Sequence, residues 1–459
     1  MNSCCWRAIL FSWALAACAA LPDVESLSSA VEPNPVPSVI AARGATLPES
    51  KTELLLDQRW GRHAPDLKTR AALEEAATGA PLIAGNKLTL LFDGPQTMEE
   101  MLAAISNAHH SINLETYIFD QDSLGLKFAA ALIEKQQQGV AVCIIYDSVG
   151  TIGVPQAFFE RMRDAGVKLV AFNPVNPARL HGNAWKLNNR DHRKILIVDG
   201  KLGFTGGINI SDTYSRSSLF RSKVQPADRS EVGWRDTHVK IEGPAVAALQ
   251  WIFVRTWTQQ HAQALPEVDF FPPQTDAGDK LVRVLASEPG GDFEIFKAYM
   301  LALQAAKKSI HLTSGYFVPD QQTVDALIHA AQRGVDVKVV LPGVTDSALV
   351  FHAGHAAYEQ LLRGGVQLYH LKLTVLHAKT AVIDASWSTV GSSNIDMRSF
   401  MHNSELNIIV PDQAFGHDME TAFAEDLRNS QQITLEQWQQ RSIKERLMEW
   451  AARIINYWL

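Results

Sequence analysis

The chain is expected to be an α/β protein made by internal duplication. Two α-β-α sandwich units with mixed, mostly parallel sheets would pack about a pseudo-two-fold axis, with the functional site between the halves. Two observations carry this. First, His192 to Asn209 reads H-R-K-I-L-I-V-D-G-K-L-G-F-T-G-G-I-N, and His377 to Asn394 reads H-A-K-T-A-V-I-D-A-S-W-S-T-V-G-S-S-N, with His, Lys, Asp and Asn at the same offsets. Second, each copy follows strand–helix–strand patterns in which a glycine stops the helix, as right-handed crossovers require.

Taken in order, the N-terminus carries Arg7, an apolar run from Ala8 to Leu15, and then Leu15-Ala16-Ala17-Cys18. Residues 1–17 read as a signal peptide. The Leu-Ala-Ala-Cys end resembles a bacterial lipobox, which implies lipidation at Cys18 and an exported, membrane-attached protein facing the periplasm. Residues 18–52, rich in Pro and Ser, read as a tether. Asp66 to Ala77 reads as a surface helix with Asp66 at its N-cap.

The first half, 53–263, holds a helix at Thr97–Asn107, a strand at Ser111–Phe119, a helix at Leu124–Gln138 and a strand at Val140–Tyr146. After a linker at 264–281, the second half, 282–440, repeats this as a strand at Ser309–Val318, a helix at Thr323–Arg333 and a strand at Val335–Leu341. Gly166-Val167-Lys168-Leu169 matches Gly365-Val366-Gln367-Leu368. The first half alone carries a polar insertion, Ser211–Gly233, with Arg216, Arg221, Lys223 and Arg229, read as a solvated loop. Residues 441–459 form an amphipathic helix with Ile443, Leu447, Trp450, Ala451, Ile454 and Trp458 on one face, flanked by Arg441, Lys444, Arg446 and Arg453.

Composition narrows the chemistry. A net charge of −7 over 459 residues argues against a nucleic-acid partner, which a basic face would recognise. Three of four cysteines (Cys4, Cys5, Cys18) lie in the signal region, and Cys143 sits in an apolar run as a small buried hydrophobe, so neither a disulfide framework nor a zinc spacing is present.

The repeated residues suit phosphoryl transfer. Residues i and i+2 of a strand share a face, so His192 and Lys194 emerge together, as do His377 and Lys379, while Arg193 and Ala378 point the other way. One imidazole attacks as nucleophile while the other, protonated, serves the leaving oxygen. Lys194, Lys379, Asn209 and Asn394 supply charge and donors to the phosphoryl oxygens. Asp236 and Glu405, in equivalent contexts before strand-like runs, are the candidate carboxylates that orient the imidazoles. Asp199 and Asp384 complete the motif, either in the chemistry or, preferably, as turn or ion-pair residues. Glu115 is either a half-buried strand acid or a cleft residue. No carboxylate cluster calls for a metal, and no cofactor is expected.

These motifs resemble the phospholipase D superfamily with its duplicated H-x-K-x4-D, and most of all its bacterial cardiolipin synthases. The likeness runs from about Asn86 to Leu459 through L-E-T-Y-I-F-D, D-H-R-K-I-L-I-V-D-G, W-R-D-T-H-V-K-I, L-H-A-K-T-A-V-I-D and V-G-S-S-N-I-D-M-R-S. It implies a phosphatidyltransferase working through a phosphohistidine, with His192 as nucleophile and His377 as general acid and then base, or the reverse. A hydrolytic phospholipase D releasing phosphatidic acid is the alternative. The implied partners are a membrane surface and phospholipids, with phosphatidylglycerol and phosphatidylethanolamine as candidates. Ser392 is expected to help bind the phosphoryl group; the first half has Gly207 at that position. Where many cardiolipin synthases begin with two membrane-spanning helices, this sequence has a single lipoprotein-like signal.

Overall fold

The computed structural model describes residues 21–24, 26, 34–61, 65–176, 186–216, 232–261, 263–442, 445–446 and 448–449. The signal segment with Cys18, the loop cations Arg221, Lys223 and Arg229, and the C-terminal stripe from Ile443 to Trp458 lie outside these residues. Among the described residues no helix is long and apolar enough to cross a membrane.

Among the described residues, seven strands of four residues or more build the first half: β1 (Leu82–Leu91), β2 (Ser111–Thr116), β3 (Ala141–Asp147), β4 (Lys168–Phe172), β5 (Ile195–Val198), β6 (Leu202–Gly206) and β7 (His238–Glu242). The second half repeats them as β8 (Lys280–Ser287), β9 (Ser309–Ser314), β10 (Asp336–Pro342), β11 (Gln367–Leu371), β12 (Lys379–Ile383), β13 (Trp387–Gly391) and β14 (Asn403–Val410), and adds β15 (Ser430–Ile433). The order is β1-β7-β6-β5-β2-β3-β4 in the first half. The second half matches it as β8-β14-β13-β12-β9-β10-β11, with β15 on the β11 edge. Antiparallel pairing of β1 with β8 joins the halves. The duplication therefore holds strand for strand.

The sheets are mixed, as expected; among the fifteen strands named above, parallel pairing is confined to β2-β3-β4 and β9-β10-β11, and the other ladders between them are antiparallel. The parallel strands are those linked by crossover helices, Ser123–Gln137 and Gln321–Gln332, each followed by a glycine (Gly139, Gly334) in the left-handed region. Strands β5 and β6, and their counterparts β12 and β13, fold back through tight turns. Asp199 and Gly200 have φ of 53° and 60°, and Asp384 and Ala385 have φ of 53° and 50°. Two successive left-handed residues are what a hairpin turn matched to strand twist needs. So the motif Asp marks a hairpin, and this puts antiparallel pairs in the majority.

Apolar residues of alternate faces pack into three linked cores. Leu114, Phe128, Leu132 and Ile144 belong to the first half, and Leu312, Leu327 and Val339 to the second. Ile197, Ile241, Leu249, Val382 and Ile408 fill the space between the halves. Cys143 is buried there, as its sequence context implies.

Two N-terminal expectations change. The helix expected at Asp66–Ala77 spans Pro65–Thr78; Pro65 takes the first turn, where its missing N–H costs nothing, and Asp66 falls inside the helix rather than at its cap. It is no surface helix: Ala71, Ala72 and Glu74 are buried, and Glu74 pairs with Arg283 and accepts from Trp387 Nε1 at 2.8 Å. Nor does all of 18–52 run free. Val39 is fully buried in a short strand beside Leu82, and Val24 packs in the second-half core with its N–H on Gln322 Oε1 at 3.3 Å.

Candidate active site

Both histidines precede a strand whose backbone continues into the core, and each is tied to the opposite half. The His192 N–H donates to Ser404 O at 2.9 Å, and the His377 N–H to Arg235 O at 2.8 Å. The two rings end 6.5 Å apart, centroid to centroid. This spacing leaves room for one tetrahedral phosphorus between them.

The orienting carboxylates also cross between halves. Glu405, on β14, accepts from His192 Nδ1 at 3.1 Å, and Asp236, in the first half, accepts from His377 Nδ1 at 2.7 Å. Holding the proton on Nδ1 leaves Nε2 of each ring available to the cleft. Both carboxylates are fully buried. Burial works to raise their proton affinity, but the imidazoles and lysines outweigh it and hold both below the usual carboxylate range. Burial lowers His192 to about 4, against the pull of Glu405, so this imidazole is neutral. His377 is lowered too, by burial and by Lys379, against Asp236.

Lys194 and Lys379 anchor on the carbonyls of their own histidines, Lys194 at 2.5 Å. Burial lowers Lys194 to about 7, with Lys379 adding to the effect, and lowers Lys379 to about 8 against the pull of Asp236 and Glu405. Asn209 and Asn394 are held alike. Their Oδ1 atoms accept the N–H of Ile118 and of Tyr316, both at 3.2 Å, which fixes each carboxamide at the cavity wall.

One expectation is corrected, for Ser392, and two that stood open, for the motif aspartates and Glu115, fall to the structural alternative. Ser392 is a positioning residue: its hydroxyl donates to Glu405 Oε2 at 2.5 Å and accepts from Leu406 N at 3.0 Å, so it braces the carboxylate instead of meeting a phosphoryl group. The first half needs glycine there because a Cβ on Gly207 would come within 2.2 Å of Asp236 Oδ1. Asp199 and Asp384 are not in the cleft. Each caps three successive backbone N–H groups, His109 to Ser111 and Lys307 to Ser309. Four residues of strand, at roughly 3.3 Å each, separate them from the motif lysines. Glu115 is fully buried beside Arg193 (3.6 Å) and Thr256, on the face away from Lys194, and works within the fold.

A cavity of about 500 Å³ opens over the two rings, lined by His192, His377, Asn209, Asn394, Arg190, Arg398 and aromatic residues. Tyr117 and Tyr316 stand edge-on to His192 and His377, at 5.2 and 6.1 Å. The sequence offered a signal for them, since a tyrosine follows the equivalent strand in both halves. Tyr214, whose hydroxyl lies 3.0 Å from His377 Nδ1, and Trp234 have no such repeat and were not foreseen.

Two buried imidazoles, each held by a carboxylate from the other half and flanked by a lysine and a carboxamide, define a two-histidine phosphoryl-transfer centre on a duplicated α/β scaffold. The sequence profile described as "Cardiolipin synthase, PLD-like domain" matches residues 101–219 and 299–427, one copy in each half. Cardiolipin synthase 1 of Bacillus cereus is 36% identical over 390 residues, covering 82% of this chain and 74% of that protein. The cardiolipin synthase of Geobacillus kaustophilus is 33% identical over 428 residues, covering 93% and 79%. The crystal structure of phosphatidylserine synthase from Haemophilus influenzae superposes with a TM-score of 0.60 at 12% identity, over 81% of this chain and 95% of that one, which shows the shared fold. The chain belongs to the cardiolipin synthase family of phospholipase D-like phosphatidyltransferases.

Proposed function

We propose that this enzyme makes cardiolipin by moving a phosphatidyl group onto the headgroup hydroxyl of phosphatidylglycerol, with phosphatidylglycerol or phosphatidylethanolamine as donor. The observation that carries the reading is the pair of crossed His–carboxylate contacts facing one cavity, in a chain of this family. His192 Nε2 attacks phosphorus, the bond to the donor headgroup oxygen breaks, and His377, which enters the cycle as the imidazolium beside Asp236, gives that oxygen its Nε2 proton. The acceptor hydroxyl then yields its proton to His377 as it attacks phosphorus, and the bond to His192 breaks. Lys194, Lys379, Asn209 and Asn394 balance the charge on the phosphoryl oxygens throughout.

Withdrawing acyl chains from a bilayer forfeits about 0.8 kcal/mol per methylene, so the chains stay in lipid and only headgroups enter the cleft. This favours a membrane-attached enzyme. We place its anchor at Cys18, as an exported lipoprotein facing the periplasm, on the strength of the Leu-Ala-Ala-Cys signal.

The test is lipid chemistry. Purified protein in mixed micelles of phosphatidylglycerol and phosphatidylethanolamine is expected to form cardiolipin, with glycerol or ethanolamine as co-product naming the donor. His192→Ala and His377→Ala should each abolish it. Phosphatidic acid alone would move the reading to hydrolysis. For the anchor, fatty-acid labelling of the expressed protein should disappear in Cys18→Ser; unchanged labelling would reject it.

A further inference from the structure

The exposed apolar residues have a pattern the chemistry above does not use. Strands β3 and β10 occupy equivalent places in the two halves, and both end at the cleft. The loop after β3 contributes Val149 to the cavity wall and then presents Ile152 at its tip, 74% exposed. The segment after β10 contributes Val350 to the same wall and presents Leu349 beside it, 48% exposed. Ile152 is pinned next to the wall by its N–H on Val149 O at 3.1 Å. Leu187, itself a wall residue, is 43% exposed, and its neighbour Lys186 is exposed as well. Large aliphatic side chains in water beside one cavity, Ile152 in the turn after β3 and Leu349 in the first turn of the helix Ala348–His355 after β10, mark a contact surface rather than scattered surface residues.

We propose that Ile152 and Leu349 form a two-sided apolar rim that seats the cleft mouth in the interface of a phospholipid bilayer. This rests on the phosphatidyltransferase reading and deepens it by naming the face that meets the membrane. Three features of the page select a bilayer as occupant. The substrate headgroups must reach the rings while their chains remain in lipid. The cavity, at about 500 Å³, has space for headgroups and not for paired acyl chains. And the two side chains follow equivalent strands of the two halves and stand beside Val149 and Val350, which line the same cavity, so one lipid surface can meet both. Apolar side chains entering the headgroup–acyl boundary beside a lysine are the composition of an interfacial anchor.

The test compares two forms of one substrate with the full-length enzyme. Phosphatidylglycerol is supplied either in vesicles with long chains or as a short-chain monomer below its critical micelle concentration. Ile152→Ser with Leu349→Ser is expected to lower turnover on vesicles tenfold or more, through KM, while turnover of the monomer stays within twofold. Ile152→Phe with Leu349→Phe, which keeps the apolar area, should retain vesicle turnover. Equal losses on both substrates, or no loss on vesicles, would overturn the rim. A wild-type enzyme that turns over neither form would instead overturn the phosphatidyltransferase reading beneath it.

Discussion

Replacing Glu405 with glutamine tests the centre most directly. Three donors converge on the Glu405 carboxylate: His192 Nδ1 at 3.1 Å, Ser392 Oγ at 2.5 Å and Asn403 Nδ2 at 3.1 Å. A carboxylate accepts all three. The amide of glutamine has one acceptor oxygen, and its NH₂ must face a donor. The cheapest relief is for the imidazole to accept at Nδ1, which puts the proton on Nε2, the atom that has to attack phosphorus. The wrong tautomer in a catalytic His–carboxylate pair costs on the order of 10³–10⁴ in kcat. At about 1.4 kcal/mol per tenfold, that is roughly 4–5 kcal/mol of barrier. Glu405 is fully buried and glutamine has nearly the same shape, so the fold should survive, which thermal unfolding will check. The assay is single-turnover formation of the phosphorylated enzyme with saturating lipid. Retention of more than a tenth of the wild-type rate would refute the orienting role. Ser392→Ala in the same assay removes one of the three donors and should cost about tenfold in kcat with KM unmoved; a raised KM would return Ser392 to the phosphoryl group.

Other consequences follow from the same geometry. Gly207→Ala pushes a methyl into Asp236 Oδ1, 2.2 Å from the ideal Cβ, and should remove activity as thoroughly as Asp236→Ala, read as cardiolipin formed per milligram. Lys194, lowered to about 7, and Lys379, lowered to about 8, bind the anionic phosphoryl group only when protonated, so kcat/KM should be highest well below pH 7 and fall as pH rises through 7 and 8. The neutral form of His192 is needed for attack, so its acid limb should lie near pH 4; a limb at pH 6.5 would contradict the buried imidazole. Asp199→Ala and Asp384→Ala each unseat three backbone N–H groups and should destabilise the fold by about 2–4 kcal/mol in denaturant titration, while the folded enzyme keeps its kcat.

The duplicated motif was legible because its spacing is local: i and i+2 on a strand decide that His and Lys share a face, and an apolar run decides that the strand is buried. The crossover helices were legible for the same reason, since helical periodicity and a left-handed glycine are short-range properties. The orienting pair was legible only as two candidate acids, because the partner of His192 lies 213 positions away and that of His377 lies 141 away.

By itself, then, the sequence determined the repeat, the strand–helix–strand units and the reactive side chains, all fixed by residue type and spacing along one chain. The tertiary structure alone decided the pairings. It gave Glu405 to His192 and Asp236 to His377 because the halves exchange their carboxylates across the pseudo-two-fold axis. It gave the motif aspartates, whose turn position the sequence already favoured, their partners, three successive backbone N–H groups leading into β2 or β9. It turned Ser392 from the phosphate toward Glu405, since a buried hydroxyl goes to the nearest buried charge. Each of these depends on which surfaces meet when two sheets close over one core.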